Sequence, residues 1–163
     1  MVEKEVELSL GEIKVLYEYF IEQYKKEGIT VTWSKLILNN LKMLTTPYKQ
    51  IHSGLYDENR DSKYIEYGNK LHTLIKKYVD LDEQGNPIVE NGEPRITENI
   101  VEYQKEVKKL DEEYKDLVDR LDHKNEINNK FLSQVVKIKI YKVSEQEIPN
   151  SIPPYIIGFL LDE

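Results

Sequence analysis

The chain has 163 residues and no cysteine, and its 30 acidic residues against 23 basic ones give a net charge of −7. This length is enough for one domain with a modest core. A surface that generally bound nucleic-acid phosphates would need excess Lys and Arg, so the charge argues against direct nucleic-acid binding. Without cysteine there is no disulfide, no thiolate metal site and no thiol nucleophile, and a reducing compartment is the default expectation.

The N-terminus and the hydropathy pattern bear on targeting. Residues 1–7 alternate charged and apolar side chains without a basic stretch followed by an apolar run, so we expect no secretory signal. The most apolar segment, residues 155–161, is far shorter than the roughly 20 residues that cross a bilayer. We therefore predict no membrane association, and we expect residues 155–161 to pack on the domain as a helix or a strand.

The first third of the chain predicts strands and helices in alternation. Residues 2–8 alternate apolar with mostly acidic side chains, the period of a half-buried strand. Ser9 followed by Glu12 is a capping box and predicts that a helix begins there. Residues 29–33 alternate threonine with apolar side chains, which favours a second short strand before Ser34 caps the next helix.

A long helical pattern follows. Apolar residues within 37–55 recur at spacings of 4, 3, 4, 3 and 4, which is typical of a helix packed lengthwise on another helix. Pro47 should kink this helix or divide it near Thr46. The pattern resumes in a new register over residues 64–78, so we expect one long, imperfect helix or two helices end to end within 34–79.

The next segment connects two helical arms. Residues 80–96 contain turn signals, and Asn91-Gly92 between apolar pairs predicts a small β-hairpin. Apolar residues within 100–121 then recur at spacings of 3 and 4. Two such seams joined by a 17-residue connector predict an antiparallel helical hairpin over 34–132, with residues 80–96 as its tip.

Charge supports the pairing of the two arms. Residues 34–79 have a net charge of +4, whereas residues 97–123 and the tip have −4 each. Because each exposed ion pair contributes only about 0.2–1 kcal/mol, charge should select the partner while buried side chains supply most of the stability.

A clear strand pattern returns near the C-terminus. Residues 136–140 alternate apolar with basic side chains, and their basic face complements the acidic face of the N-terminal strand. We predict that the two terminal strands pair in an antiparallel sheet, with Glu5 or Glu7 near Lys137 or Lys139.

These elements give the predicted architecture. The fold class is mainly α with a small β part (α+β), a long antiparallel helical hairpin on a small antiparallel sheet formed by the terminal strands. We expect a single domain over 1–163, in which 1–33 and 133–163 form the base of the 34–132 hairpin.

Signals of catalysis or metal binding are weak. The histidines, His52, His72 and His123, lack the spacing of metal ligands. The segment Asp80–Gly85 is like the start of a calcium loop, but Asn91 stands where a bidentate Glu is required, so an ordinary acidic turn is favoured. With no phosphate loop or nucleophile elbow, we predict a non-enzymatic protein with no catalytic residue, no cofactor and no metal.

The chain is rich in tyrosine, with 12 residues. Several fall at seam positions, where a ring packs and its hydroxyl stays hydrated; the alternative is that some line a protein-binding surface. Candidate protein contacts lie in the tip and in the tyrosine-bearing flanks: Asp82, Glu83, Asn86, Glu90, Asn91, Glu93, Tyr56 and Tyr64.

Five segments follow one another in a characteristic order: Ser34-Lys35-Leu36-Ile37, Pro47-Tyr48, Leu74-Ile75-Lys76-Lys77-Tyr78, Asp82-Glu83-Gln84-Gly85-Asn86-Pro87 and Val136-Lys137-Ile138-Lys139-Ile140. This order resembles a family of small, uncharacterised proteins from tailed phages of Gram-positive bacteria, over roughly residues 9–161. The resemblance implies a phage or prophage origin, a place in the host cytoplasm or the virion, and a non-enzymatic role. It carries no functional residues.

Three functions remain open on this basis. The chain binds a protein partner, for example as an inhibitor of a host factor or defence system; it is a minor assembly or virion component; or it is an acidic nucleic-acid mimic. Mimicry should weaken steeply with ionic strength, whereas an apolar interface should not. Apolar positions outside the seam, Leu36, Leu38 and Met43, would also allow a homo-oligomer.

Overall fold

The computed structural model describes residues 1–162. Its helices and strands are, in chain order, β1 (Val2–Ser9), α1 (Leu10–Tyr24), α2 (Val31–Gly54), α3 (Ser62–Tyr78), β2 (Val89–Glu90), β3 (Glu93–Pro94), α4 (Ile100–Glu113), α5 (Lys115–Asp122), α6 (Lys124–Leu132), β4 (Val135–Lys142) and α7 (Pro154–Leu160). Short 3-10 turns cover Glu58–Arg60 and Glu145–Glu147. The fold is mainly α with a small antiparallel sheet made by the terminal strands, as predicted. No helix within residues 1–162 is both long and apolar enough to span a bilayer.

The contacts divide the chain into two compact units. The first unit contains residues 1–55 and the chain from Glu126 onward, and the second contains residues 56–125. The observed division therefore falls at residue 55 and not at residue 33, where we predicted the hairpin to begin. The reason is that α2 packs against α1 and β4.

The core of the first unit lies between α1, α2, α7 and the sheet. Its largest fully buried side chains are Trp33, Phe20, Ile13, Leu16, Leu36, Ile37, Leu44, Ile51, Ile140, Ile156 and Leu160. Leu36 is thus a core residue and is not free for the self-association considered above. The C-terminal apolar segment is the helix α7, with Pro154 in its first turn.

The sheet has the predicted register. Strand β1 pairs antiparallel with β4, so that Glu5 lies opposite Lys139 and Glu7 opposite Lys137. The Lys139 ammonium lies 2.9 Å from a carboxylate oxygen of Glu3, diagonal to it on the same face. The prediction that acidic and basic faces meet is therefore confirmed.

The capping residues decide where the first helices begin. At α1, the Ser9 hydroxyl accepts from the Glu12 amide at 3.2 Å, and the Glu12 carboxylate accepts from the Ser9 amide at 2.6 Å, which confirms the capping box. The predicted strand over 29–33 is wrong. The Thr30 hydroxyl accepts from the Trp33 amide, so that α2 begins at Val31 and Trp33 is buried.

Pro47 does not divide α2, contrary to one of the two expected outcomes. The helix continues through Pro47 to Gly54. It ends before a short turn in which the Asp57 side chain accepts from the Asn59 amide, and α3 then begins at Ser62. The pattern over 34–79 therefore corresponds to two helices.

A buried polar contact joins α2 to β4. Asn40 is fully buried, its amide nitrogen donates to the Tyr141 carbonyl at 3.0 Å, and its side-chain oxygen accepts from the Tyr141 amide at 2.8 Å. Tyr141 lies opposite Glu3 in the sheet. Asn40 thus satisfies the two backbone groups that a third strand would otherwise pair.

The second unit is an antiparallel helical pair. Helix α3 packs against α4 and α5 around a small core of Leu110, Tyr114 and Leu117. The seam predicted over 100–121 is interrupted at Tyr114, where α4 ends and α5 begins.

Polar side chains also link the arms of this unit. The Lys70 ammonium lies 2.6 Å from a Glu113 carboxylate oxygen, as the opposite charges of the arms predict. The pair between Arg120 and Asp61, at 2.9 Å, has the reverse polarity. The Tyr67 hydroxyl donates to Asp111 at 2.8 Å, so this ring packs at the core while its hydroxyl reaches a polar partner.

Candidate functional site

The tip, residues 80–96, forms most of the connector between α3 and α4. Its outer half is a β-hairpin in which Val89 pairs with Pro94 and Glu90 with Glu93. Asn91 and Gly92 occupy the turn with φ of 52° and 84°, the left-handed values that a two-residue type I′ turn requires. The predicted Asn-Gly hairpin is therefore confirmed.

A buried aspartate holds the base of the tip. One or both carboxylate oxygens of Asp80 accept from the Thr97 amide at 3.2 and 3.1 Å, the Thr97 hydroxyl at 2.5 Å, the Glu98 amide at 3.3 Å and the Arg95 Nε at 3.0 Å. The hydrogen bond from the Thr97 hydroxyl, together with the amide and guanidinium donors, lowers the pKa of Asp80 to about 2. Asp80 is therefore ionised at neutral pH and joins the two ends of the tip.

Backbone hydrogen bonds reinforce this junction. The Asp80 amide donates to the Arg95 carbonyl, the Ile88 amide to the Asp80 carbonyl and the Arg95 amide to the Ile88 carbonyl, each at 2.8 Å. The Arg95 Nη1 also donates to Glu90 at 3.0 Å. The two segments of the connector on either side of the hairpin turn are therefore joined by hydrogen bonds.

A second turn occupies the first half of the tip. The Asp82 carboxylate accepts from the Gln84 amide at 2.9 Å and the Asn86 amide at 2.8 Å, while Gly85 takes a left-handed φ of 83°. Hydrogen bonds from the amides of Asn86 and Gln84 lower the pKa of Asp82. Asp82 and Asn86, both predicted contact residues, thus shape the turn.

The remaining predicted contacts of the tip are exposed. Glu83, Glu90 and Glu93 are exposed, and so are two apolar side chains, Leu81 at 58% and Val89 at 59% exposure. Sequence reasoning missed these two apolar residues. Leu81 stands between two aspartates and Val89 ends a short apolar pair before an Asn-Gly turn, and the pattern alone does not distinguish exposed from buried apolar residues in so short a segment.

Two predicted contacts lie elsewhere in the second unit. Tyr64, at the start of α3, packs against the small core of this unit, and the Tyr56 hydroxyl donates to Asp61 at 3.2 Å before that helix begins. At a rise of 1.5 Å per residue, Tyr64 lies about 24 Å along the chain direction from the tip. The structure therefore brings together six of the eight candidate residues and leaves these two at the other end of α3.

The polar side chains of the tip are carboxylates, amides and one guanidinium. The segment 80–96 contains no Ser, Thr, Tyr, His, Cys or Lys, so its carboxylates are the only side chains there that can accept a proton at neutral pH. The Asp80 carboxylate, which the calcium-like pattern would make a ligand, is turned toward protein donors. Within residues 1–162 no cluster of three or more His, Asp or Glu side chains is arranged to hold a metal ion.

Comparison with known proteins gives no relative. The chain matches no protein-family model, and no curated protein or solved structure is significantly similar to it. Its function must therefore be inferred from the contacts and charges of its own residues.

Proposed function

We propose that this protein is non-enzymatic and acts by binding another protein, with the tip as its contact surface. One observation carries the proposal. The tip is held in a defined shape by hydrogen bonds centred on Asp80, yet it leaves Leu81 and Val89 in solvent and carries three exposed glutamates in the same segment.

The length of the connector supports this proposal. Connections between antiparallel helices commonly need 2–8 residues, whereas here 21 residues, 79–99, with two turns and a hairpin, lie between α3 and α4. A buried carboxylate with several donors stabilises a shape that covers neither of the two cores. A surface ordered before binding loses little conformational entropy when a partner docks, which favours affinity.

The charge of the tip indicates the chemistry of the partner. Residues 80–96 contain five acidic residues and one arginine, a net charge of −4. Asp80 is buried and Asp82 is engaged in its turn, whereas Glu83, Glu90 and Glu93 are exposed, with Glu90 also accepting from Arg95. We expect a partner whose surface offers Lys or Arg around an apolar depression that accepts Leu81 and Val89.

The biological setting of the proposal rests on the resemblance to phage proteins. In that setting the protein is an inhibitor of a host factor or defence system, or a minor component of phage assembly or of the virion, and it acts in the host cytoplasm or the virion. The proposal includes no direct contact with nucleic acid and no cofactor.

A nucleic-acid mimic is the second candidate, and it has its own supporting observation. Exposed carboxylates of Glu112, Asp116 and Asp119 recur at helical spacing near the junction of α4 and α5. A DNA-binding protein would meet this face, and the tip would then be unnecessary.

The test compares three variants in partner capture and then in titration with the purified partner. Leu81→Ser/Val89→Ser removes the apolar centre of the tip, Glu112→Gln/Asp116→Asn removes carboxylates of the α4–α5 face, and Val101→Ser is the control. Val101 is 69% exposed and lies on α4 outside the tip. Thermal melting by circular dichroism checks that each variant is folded.

We expect the tip variant to weaken binding about tenfold or more, since loss of a central apolar contact typically costs over 1 kcal/mol. The control should bind like the unchanged protein. Unchanged binding by the tip variant would exclude the tip as the contact. Loss confined to the α4–α5 variant, with a steep dependence on salt, would favour the mimic.

A further inference from the structure

One edge of β4 is open over part of its length. In an antiparallel pair, alternate residues direct their backbone groups toward the partner strand and away from it. The N–H and C=O groups of Tyr141 point away from β1, as their hydrogen bonds to the Asn40 side chain show. Lys139 and Lys137 lie two and four residues before Tyr141 on the same strand, so their N–H and C=O groups also point away from β1. We call this side of β4 its outer edge.

The outer edge is closed only beyond Lys139. The Val143 amide donates to the Leu160 carbonyl at 2.9 Å, and the Val143 carbonyl accepts from the Asp162 amide at 3.0 Å. Asn40 closes the position of Tyr141. Within residues 1–162, the outward backbone groups of Lys137 and Lys139 have no such partner.

An apolar cavity of about 400 Å³ adjoins this open edge within the first unit. Helix α2 hydrogen-bonds to β4 at Asn40, and its later residues, within 47–54, line the cavity together with residues 136–138 of β4. The side chains that line it are mostly apolar: Leu10, Pro47, Ile51, Phe131, Val136 and Ile138. An exposed β-edge beside an apolar cavity is the arrangement used when an extended peptide adds a strand to a sheet.

We propose that the edge of β4 at Lys137 and Lys139, with this cavity, binds an extended segment of a partner protein in which acidic and apolar residues alternate. The ammonium groups of Lys137 and Lys139 each face one β1 carboxylate, at 4.0 and 2.9 Å, and the side chains remain 67% and 60% exposed, so a second carboxylate can approach them from the open edge. Residues of the added strand opposite these lysines would be acidic. Residues opposite Val136 and Ile138 would be apolar and would enter the cavity.

The same pairing of an acidic strand with the lysines of β4 already occurs within this chain. On the inner edge of β4, β1 already pairs Glu7 with Lys137 and Glu5 with Lys139 and places apolar residues on the core face. A second copy of β4 would instead set lysines opposite lysines on the open edge, which is unfavourable. Charge complementarity therefore selects an acidic segment over the β4 edge of a second copy.

The test uses a fluorescent peptide that alternates Val and Glu, with its ends blocked, and a matched peptide that alternates Val and Lys. Binding to the full-length protein is measured by fluorescence anisotropy. We expect the acidic peptide to bind and the basic peptide to bind at least tenfold more weakly. Equal binding of the two peptides, or binding of neither, would overturn the proposal.

A pair of variants at one position separates backbone pairing from charge. Lys137→Ala keeps the outward N–H, whereas Lys137→Pro also removes it and leaves the ladder to β1 intact, since that N–H points away from β1. We expect Lys137→Pro to bind the acidic peptide about tenfold more weakly than Lys137→Ala. The proline removes one backbone hydrogen bond to the peptide and alters the shape of the strand edge. Equal affinities would contradict strand addition.

A further variant keeps the test decisive if the proline prevents folding. Val136 lines the cavity and is partly exposed, so Val136→Trp fills the cavity from its wall. This variant should bind the acidic peptide at least tenfold more weakly. Retained binding would exclude the cavity as part of the peptide site. Light scattering tests the other occupant: a dimer of the unchanged protein that Lys137→Pro abolishes would assign the edge to a second copy and overturn the proposal.

Leu81→Ser/Val89→Ser should bind the acidic peptide like the unchanged protein, because the tip lies in the other unit. This outcome separates the strand-edge site from the tip, so that failure of one proposal leaves the other standing.

Discussion

The contact between Asn40 and Tyr141 gives a sharp prediction for stability. In Asn40→Ala, a fully buried side chain is lost, and the Tyr141 N–H and C=O lose their partners at 2.8 and 3.0 Å. An unsatisfied buried donor or acceptor costs about 1–3 kcal/mol. Partial access of water to Tyr141, which is half-buried, moderates the sum, so we expect the free energy of unfolding to fall by about 3 kcal/mol.

The chain offers a convenient assay and a matched control. Trp33 is the only tryptophan and is buried in the first unit, so urea unfolding followed by its fluorescence reports on the unit that contains Asn40. Asn39 is the adjacent residue, and its side-chain amide donates to the Met1 sulfur at 3.8 Å in an exposed contact. Asn39→Ala should therefore change the free energy of unfolding by less than about 0.5 kcal/mol.

A second substitution tests which half of the contact matters. In Asn40→Asp, the carboxylate can still accept from the Tyr141 amide, but it cannot donate to the Tyr141 carbonyl unless it is protonated. We expect this variant to be less destabilised at acidic pH than at neutral pH. The reasoning would be refuted if Asn40→Ala were no more destabilising than Asn39→Ala, since the pairing of β4 with α2 would then be dispensable.

Two further predictions concern the second unit. Since the pKa of Asp80 is lowered to about 2, its contribution to the stability of the tip should be complete above about pH 4 and lost as pH falls toward 2. The NMR chemical shifts of the Thr97 and Glu98 amide protons should change over the same pH range. Asp80→Asn should abolish that transition. Persistence of the transition in Asp80→Asn would assign it to another carboxylate. Leu117 is 1% exposed, so Leu117→Ala should lower the free energy of unfolding by about 2–5 kcal/mol in circular dichroism, while Leu81→Ala, at an exposed position, should stay within about 0.5 kcal/mol. Similar costs for the two leucines would contradict the assignment of Leu117 to the core.

Local signals predicted those parts of the fold whose stabilising contacts are close in sequence. The Ser9 and Glu12 capping box depends on a helical turn of three residues, and the Asn91-Gly92 turn depends on two left-handed φ values. Sequence reasoning failed where two local solutions compete. Over 29–33, threonines favour a strand by propensity, yet the Thr30 hydroxyl caps a helix because this places Trp33 in the core.

The same distinction applies to the candidate site. Turn-forming residues and charge identified the tip and its acidic character. They did not identify Asp80 as its anchor, since the partners of Asp80 lie at Arg95, Thr97 and Glu98, across the whole connector. They also did not identify the open edge of β4, which depends on where Asn40 meets the strand.

By itself, the amino-acid sequence determined the α+β class, the pairing of the terminal strands through their opposite charges, and the acidic hairpin between two helices. These follow from periodicity, side-chain charge and turn chemistry, which act over a few residues or along whole faces. Only the tertiary structure decided that α2 packs with the sheet, that Leu81 and Val89 stay in solvent, and that part of the β4 edge is open. The physical reason is that burial and hydrogen-bond satisfaction depend on which distant segments come together. Hydrophobic contacts are non-directional, so an apolar residue in the sequence does not specify its partner.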